Sequence, residues 1–252
     1  MPGKAVRLVI KEILNVDGVL EVVDARCPNE TRSSVIEGVA KKNGKPFWIV
    51  MNKTDLVPKE FAERAKKVLL ESTDAVDVVF MSSKLFYGYN ILRRSIKEYF
   101  GKDRKVRLVI VGFPNVGKST LINALARKSK APIAPKPGYT KGKQWIKVSS
   151  KIMVSDTPGV LPRELAAEEW RKILFPEDIE DACYSLLEKI KKAEGTNFQE
   201  IYGVEPEVSE EVLEEIGRKL NYIASGGRID VKRVAQKILE DWNTGRLTAW
   251  WI

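Results

Sequence analysis

The 252-residue chain contains no histidine. That absence excludes imidazole acid–base chemistry, Ser–His and Cys–His nucleophile pairs, and His-ligated metal centres. Cysteine is nearly as scarce. Cys27 and Cys183 lie far apart, so neither a disulfide framework nor a four-cysteine zinc site can be built. A reducing compartment is expected. No apolar run approaches the roughly 18 residues that cross a bilayer. The opening MPGKAVRLVI runs straight into KEILNVDG without a signal-peptide core. The expectation is a cytoplasmic protein with no membrane partner. One further absence is local: between Asp103 and Asp156 there is no acidic residue, against twelve Lys or Arg.

What is present fits a folded protein, with 44% hydrophobic and 31% charged residues. The net charge of +9 is unevenly spread. Residues 1–160 carry 30 basic and 15 acidic side chains, whereas 161–252 carry 13 and 19. Within the second part, 161–217 holds 16 of the acids and reads as a solvated helical surface, and 218–252 turns basic again, with 7 cations against 3 acids. A face this basic attracts a polyanion, either nucleic acid or the phosphates of a nucleotide. The other reading is a solvated face that aids solubility.

Short apolar runs bounded by polar residues predict strands at VLEVVD (19–24), PFWIVM (46–51), VDVVFM (76–81) and VRLVIVG (106–112). Helical patterns separate them at 29–43, at 58–72 with Pro58 suited to a helix start, at about 89–100, and from about Lys118 to Arg127. Strand–helix alternation implies a parallel α/β sheet. Residues 128–143 hold three prolines and two glycines with no periodicity, and read as a long loop. QWIKVSS and KIMVSD read as a hairpin leading to Asp156, and helical patterns follow from about 162.

Gly112-Phe-Pro-Asn-Val-Gly-Lys-Ser119 fits G-x-x-x-x-G-K-[ST] between a strand and a helix. Backbone N–H groups of such a loop, here from Asn115, Val116, Gly117, Lys118, Ser119 and Thr120, wrap phosphates at a helix N-terminus. Lys118 would bridge the β- and γ-phosphates, and the Ser119 hydroxyl would ligate Mg²⁺. Asp156-Thr-Pro-Gly159 offers a carboxylate for Mg²⁺ and a Gly159 N–H for the γ-phosphate. Thr140 is the expected second hydroxyl ligand and γ-phosphate sensor. The catalytic set is thus Lys118, Thr140 and Gly159.

Asn52-Lys53-Thr54-Asp55 follows the second strand and fits N-K-x-D. The Asp55 carboxylate can accept from both N1–H and the 2-amino group of guanine, two donors that adenine lacks. The stem of Lys53 can cover the base. Ser82-Ser83-Lys84, one strand later, resembles the loop whose backbone contacts guanine O6. The ligand expected is GTP or GDP.

The order of these motifs is unusual. Base recognition comes first and the phosphate loop second, which is a circular permutation of one domain. Here the sequence resembles the YlqF/RbgA family of circularly permuted GTPases, over nearly its whole length. Asp24-Ala25-Arg26 matches that family's DAR motif, Pro137-Gly-Tyr-Thr140 with Gln144-Trp145 resembles its switch, and 216–247 looks like its C-terminal helical domain. The resemblance implies a P-loop GTPase domain of class α/β over 1–161, followed by a smaller all-helical C-terminal domain over 162–252. It also implies a switch in large ribosomal subunit maturation that binds ribosomal RNA. The basic residues Lys141, Lys143, Arg228, Lys232, Arg233 and Lys237 are the candidate RNA contacts. The alternatives are a GTP-gated RNA-binding module with incidental hydrolysis, or a GTPase serving tRNA or RNA maturation. The chain is expected to act as a monomer.

Two departures bear on catalysis. Val160 stands where many GTPases carry a water-orienting Gln, so slow intrinsic turnover is expected. Bacterial family members carry a His just after an N-terminal Pro-Gly, and this chain has Lys4 there. Asn115 occupies the position that ligates K⁺ in potassium-activated GTPases; it either does so here or merely shapes the loop. Asp24 and Arg26 read as organisers of a strand end or a domain contact, and Cys27 as a small buried residue. Trp250 and Trp251 either dock on the C-terminal helices or stack on RNA.

Overall fold

The computed structural model describes residues 3–128, 145–155 and 160–252, and it divides into two compact units, 1–166 and 167–252. In the first unit the helices are α1 (Lys4–Leu14), α2 (Ser34–Lys42), α3 (Lys59–Ser72), α4 (Tyr89–Phe100) and α5 (Lys118–Lys128). The strands are β1 (Gly18–Asp24), β2 (Phe47–Asn52), β3 (Asp77–Phe80), β4 (Val106–Val111), β5 (Trp145–Lys147) and β6 (Ile152–Ser155). They form one six-stranded sheet in the order β3-β2-β1-β4-β6-β5. Every pairing is parallel except β5 with β6.

β1 and β2 are buried along their whole length, as expected for a parallel sheet covered on both faces. Trp48 of β2 is fully buried; its ring meets Tyr99 at 5.5 Å and Phe100 at 5.8 Å, and its indole N–H donates to Ser95 Oγ at 2.9 Å. The two halves of the permuted chain meet in the middle, where β1 pairs with β4 from Gly18↔Leu108 to Glu21↔Val111. From that seam β2 and β3 run one way and β6 and β5 the other. Ligands of open α/β sheets bind at such a switch point, beyond the carboxyl ends of the strands.

The second unit contains α6 (Glu168–Leu174), α7 (Ile179–Lys191), α8 (Phe198–Tyr202), α9 (Glu210–Lys219) and α10 (Val231–Thr244). Side chains cap three of these helices: Asp178 accepts from the Asp181 N–H, Ser209 from Val212, and Asp230 from Arg233. Besides its helices the unit has a two-residue antiparallel ladder, β7 (Gly195–Thr196) with β8 (Ala249–Trp250), and an isolated antiparallel bridge between Ile223 and Ile229. This ladder is an addition to the all-helical reading. Trp251 stacks between Trp170 and Trp242, 5.7 Å from each, which resolves the tryptophan alternatives in favour of docking. Among the described residues no helix is long and apolar enough to cross a membrane.

Candidate nucleotide-binding site

The base motif and the phosphate loop, some 60 residues apart, meet at one side chain. Asn52 Nδ2 donates to the Val116 carbonyl at 2.8 Å, and Asn52 Oδ1 accepts the Ser83 N–H at 3.0 Å. One buried amide therefore ties NKTD, the phosphate loop and SSK together. The approach is so close that a Cβ on Gly117, whose φ is +96°, would stand 2.2 Å from Asn52 Nδ2. A Cβ on Gly112 would stand 2.5 Å from the Val22 carbonyl of β1. Both glycines are required by proximity, not only by turn geometry.

Asp55 follows on a short 3-10 turn, Thr54–Leu56, and Thr54 Oγ1 donates to the Met81 carbonyl at 2.9 Å. Asp55 Oδ1 is shielded from solvent and has no hydrogen-bond partner among the described residues. A buried carboxylate oxygen without a donor costs free energy until a ligand supplies one. Ser82 and Ser83 are buried, and Ser82 Oγ accepts the Leu85 N–H at 3.0 Å; Lys84 is exposed.

Lys53 adopts a left-handed backbone, φ 64°, and its ammonium donates to Asp24 Oδ2 at 2.8 Å. Asp24 also accepts from Arg26, at 3.0 Å from Nε and 2.8 Å from Nη2. Burial alone would raise the Asp24 carboxyl, but Arg26 and Lys53 overcome it and hold the group far below the usual range. Lys53 is lowered, because burial outweighs the attraction of Asp24. The sequence reading left Asp24 without a tie to the base motif. The signal was there: both motifs end adjacent strands, and Asp24 lies in register with Asn52.

On the phosphate side, Lys118 opens α5 and donates to the Phe113 carbonyl at 2.5 Å. Burial pushes its ammonium down to about 8. Asn115 (φ 62°), Ser119 and Thr120 are exposed, and Val116 is buried. Val160 pairs with Gly112 in a parallel bridge, and the Leu161 N–H donates to the Gly112 carbonyl at 3.0 Å. Val160 is 42% exposed, so an apolar residue sits open beside the phosphate loop. Thr140, Lys141, Lys143, Asp156 and Gly159 lie outside the described residues.

In the second unit, Arg228, Lys232 and Arg233 are exposed. Arg233 lies 4.1 Å from the centre of the Tyr222 ring. Lys237 is ion-paired to the buried Asp241 at 2.5 Å, and Asp241 also accepts from Tyr202 and Arg246. Both cysteines are buried, and burial raises their thiols, that of Cys183 to about 12. Neither has the character of a nucleophile.

The fold and site together define a P-loop guanine nucleotide-binding domain with permuted motif order. A family model described as a 50S ribosome-binding GTPase matches residues 107–217. The chain is 40% identical to an uncharacterised GTP-binding protein, MJ1464, of Methanocaldococcus jannaschii, over 96% of this chain and 65% of that protein. It is 31% identical to ribosome biogenesis GTPase A of Bacillus licheniformis, over 96% of this chain and 92% of that one. The GDP-bound structure of TM YlqF superposes with a TM-score of 0.67 at 24% identity, covering 96% of this chain and 97% of that chain, a likeness of fold. The chain belongs to the ribosome biogenesis GTPase A family.

Proposed function

We propose that the protein binds GTP and hydrolyses it to GDP and phosphate as a switch in large ribosomal subunit assembly, acting through ribosomal RNA. The observation that carries the nucleotide part is the Asn52 amide, which joins the base and phosphate motifs into one site. The buried, partnerless Asp55 Oδ1 supports guanine as the base, because it awaits a donor that adenine does not have. Lys53 covers the base while Asp24 fixes its ammonium, and Ser82, Ser83 and Lys84 close the O6 side. Backbone amides from Asn115 to Thr120 hold the phosphates, and Lys118 leaves the Phe113 carbonyl to bridge the β- and γ-oxygens.

The exposed Ser119 hydroxyl in the first turn of α5 suits a hard cation, and Ser119, Thr140 and Asp156 would hold Mg²⁺. That ion would neutralise charge developing on the phosphate oxygens. Thr140 and Gly159 would sense the γ-phosphate. Asn115 is the candidate K⁺ ligand. Lys141, Lys143, Arg228, Lys232 and Arg233 are the candidate RNA contacts; the ion pair to Asp241 makes Lys237 the weakest of the set. The domain boundary is read at 161/162, and the protein is read as a cytoplasmic monomer.

The decisive experiment is cosedimentation with large and small ribosomal subunits in GDP and in a non-hydrolysable GTP analogue. Large-subunit affinity is expected to be higher with the analogue, by about 1–3 kcal/mol for ordinary allosteric coupling. Equal binding in both states overturns the switch. The open Val160, where a water-orienting Gln would stand, favours one second reading, a GTP-gated RNA-binding module with incidental hydrolysis. Turnover that does not rise on large subunits supports that reading.

A further inference from the structure

The nucleotide does not account for the acid-free basic run. Lys118 is its one lysine in the phosphate loop. Four other members gather at the opposite end of the strands: Lys105 and Arg107 where β4 begins, and Lys147 and Lys151 on the β5–β6 hairpin. Arg107 is in register with Met153, and Met153 with Lys147, so the three side chains share one face of the sheet edge. With Lys45, from the turn before β2, these cations line a cleft of about 730 Å³.

The cleft has one carboxylate, Asp17. It is already engaged: Oδ2 accepts the Arg107 N–H at 2.8 Å, and Oδ1 lies 3.5 Å from Arg104 Nη2. Lys45 donates to the Val16 carbonyl at 2.6 Å, which satisfies a hydrogen bond but leaves its charge uncompensated. Lys105, Lys147 and Lys151 form no ion pair among the described residues. β4 spans Val106–Val111, so at about 3.3 Å per residue the cleft lies roughly 20 Å from the phosphate loop. That exceeds the screening length of about 8 Å in physiological salt, so bound nucleotide cannot neutralise these charges.

We propose that this cleft is a second anion site, which holds the phosphodiester backbone of RNA whichever nucleotide is bound. The inference rests on the RNA-binding part of the function above and adds a place for it apart from the residues named there. The cations come from three chain segments around a concave surface. That arrangement matches a curved row of phosphates better than a single anion, and a flat bilayer surface cannot enter it.

The test uses the full chain loaded with GDP and a fluorescein-labelled RNA hairpin, titrated by anisotropy across a KCl series. The charge-reversed variant is Lys105→Glu/Lys147→Glu/Lys151→Glu, which breaks no ion pair. The reference variant is Lys42→Glu/Lys59→Glu/Lys67→Glu, exposed lysines elsewhere on the same unit with the same change in charge. Each lost phosphate contact removes roughly 0.7–0.9 from the slope of log affinity against log salt, so the cleft variant should lose about 2–3 in slope and at least about thirtyfold in affinity. The reference variant should change little, and labelled GDP should bind both as it binds the wild type. Equal losses in the two variants, or none in the cleft variant, overturn the cleft while leaving RNA binding intact. In a parallel vesicle-sedimentation assay, weaker binding of the cleft variant to phosphatidylserine vesicles with unchanged RNA affinity overturns the proposal in favour of a membrane surface. A wild type that binds no RNA overturns both this proposal and the RNA reading beneath it.

Discussion

The two sides of the nucleotide site are built differently. On the base side, Asn52, Ser82 and Ser83 are buried, and Lys53 is pinned by Asp24. On the phosphate side, Asn115, Ser119 and Thr120 are exposed, and Lys118 rests on a carbonyl of its own loop. The base side is thus held by the protein's own contacts, an arrangement that lowers the ordering entropy of binding. The phosphate contacts must be exchanged for the ligand's. The proposed switch would use this division, with the guanine held in both states and the γ-phosphate read on the side that has contacts to exchange.

The largest expected effect breaks the phosphate side alone. Lys118→Ala should lower GTP hydrolysis about 10²–10³-fold, the usual cost of removing one charge-stabilising donor, while guanine-over-adenine preference survives. Phosphate release and competition binding check the two halves of that statement. Asn52→Ala should damage both sides together. It leaves the Val116 carbonyl and the Ser83 N–H without their partner, at about 1–3 kcal/mol each. A melting curve should show the loss, with weaker nucleotide binding. A variant that melts like the wild type would mean the amide does not couple the motifs.

A smaller effect sharpens the base side. Asp55→Asn turns an acceptor into a donor facing the guanine amino group, a loss of about 1.5–3 kcal/mol for a charged hydrogen bond. Xanthine nucleotide should then compete better than guanine nucleotide. An unchanged ranking in a competition assay rejects the role given to Asp55.

The strands and the motifs were legible in the sequence because both are local. Apolar runs mark β1 to β4 within a residue or two, and the phosphate loop and NKTD are contiguous. What escaped depends on partners distant in sequence. The helix expected over 29–43 begins only at Ser34. Side chains claim the preceding turn: Thr31 Oγ1 accepts the Asp24 N–H and donates to the Cys27 carbonyl, and Glu21 accepts the Ser33 N–H. Glu21 itself reads as a lapse in the apolar run of β1. It is a buried carboxyl, raised well above its usual range by burial and then by Glu37. The β7–β8 ladder pairs two residues with two, too few for any periodicity to register.

The smallest effect is a pH dependence that belongs to the phosphate side. Burial leaves the Lys118 ammonium near 8 when it faces only the Phe113 carbonyl. Phosphates favour the charged form, so binding raises that value, and above pH 8 the free protein must take up a proton to bind. GDP affinity should be nearly flat from pH 6 to 7.5 and then fall, by up to about tenfold between pH 7 and 9 if the bound lysine stays charged. Lys118→Arg removes the titration, since guanidinium stays protonated throughout, and should flatten the profile even if affinity is lower. The same fall in both proteins would assign the pH dependence to another group. A flat profile in the wild type would mean that Lys118 is charged in the free protein, and that the phosphate side is less dehydrated than its burial implies.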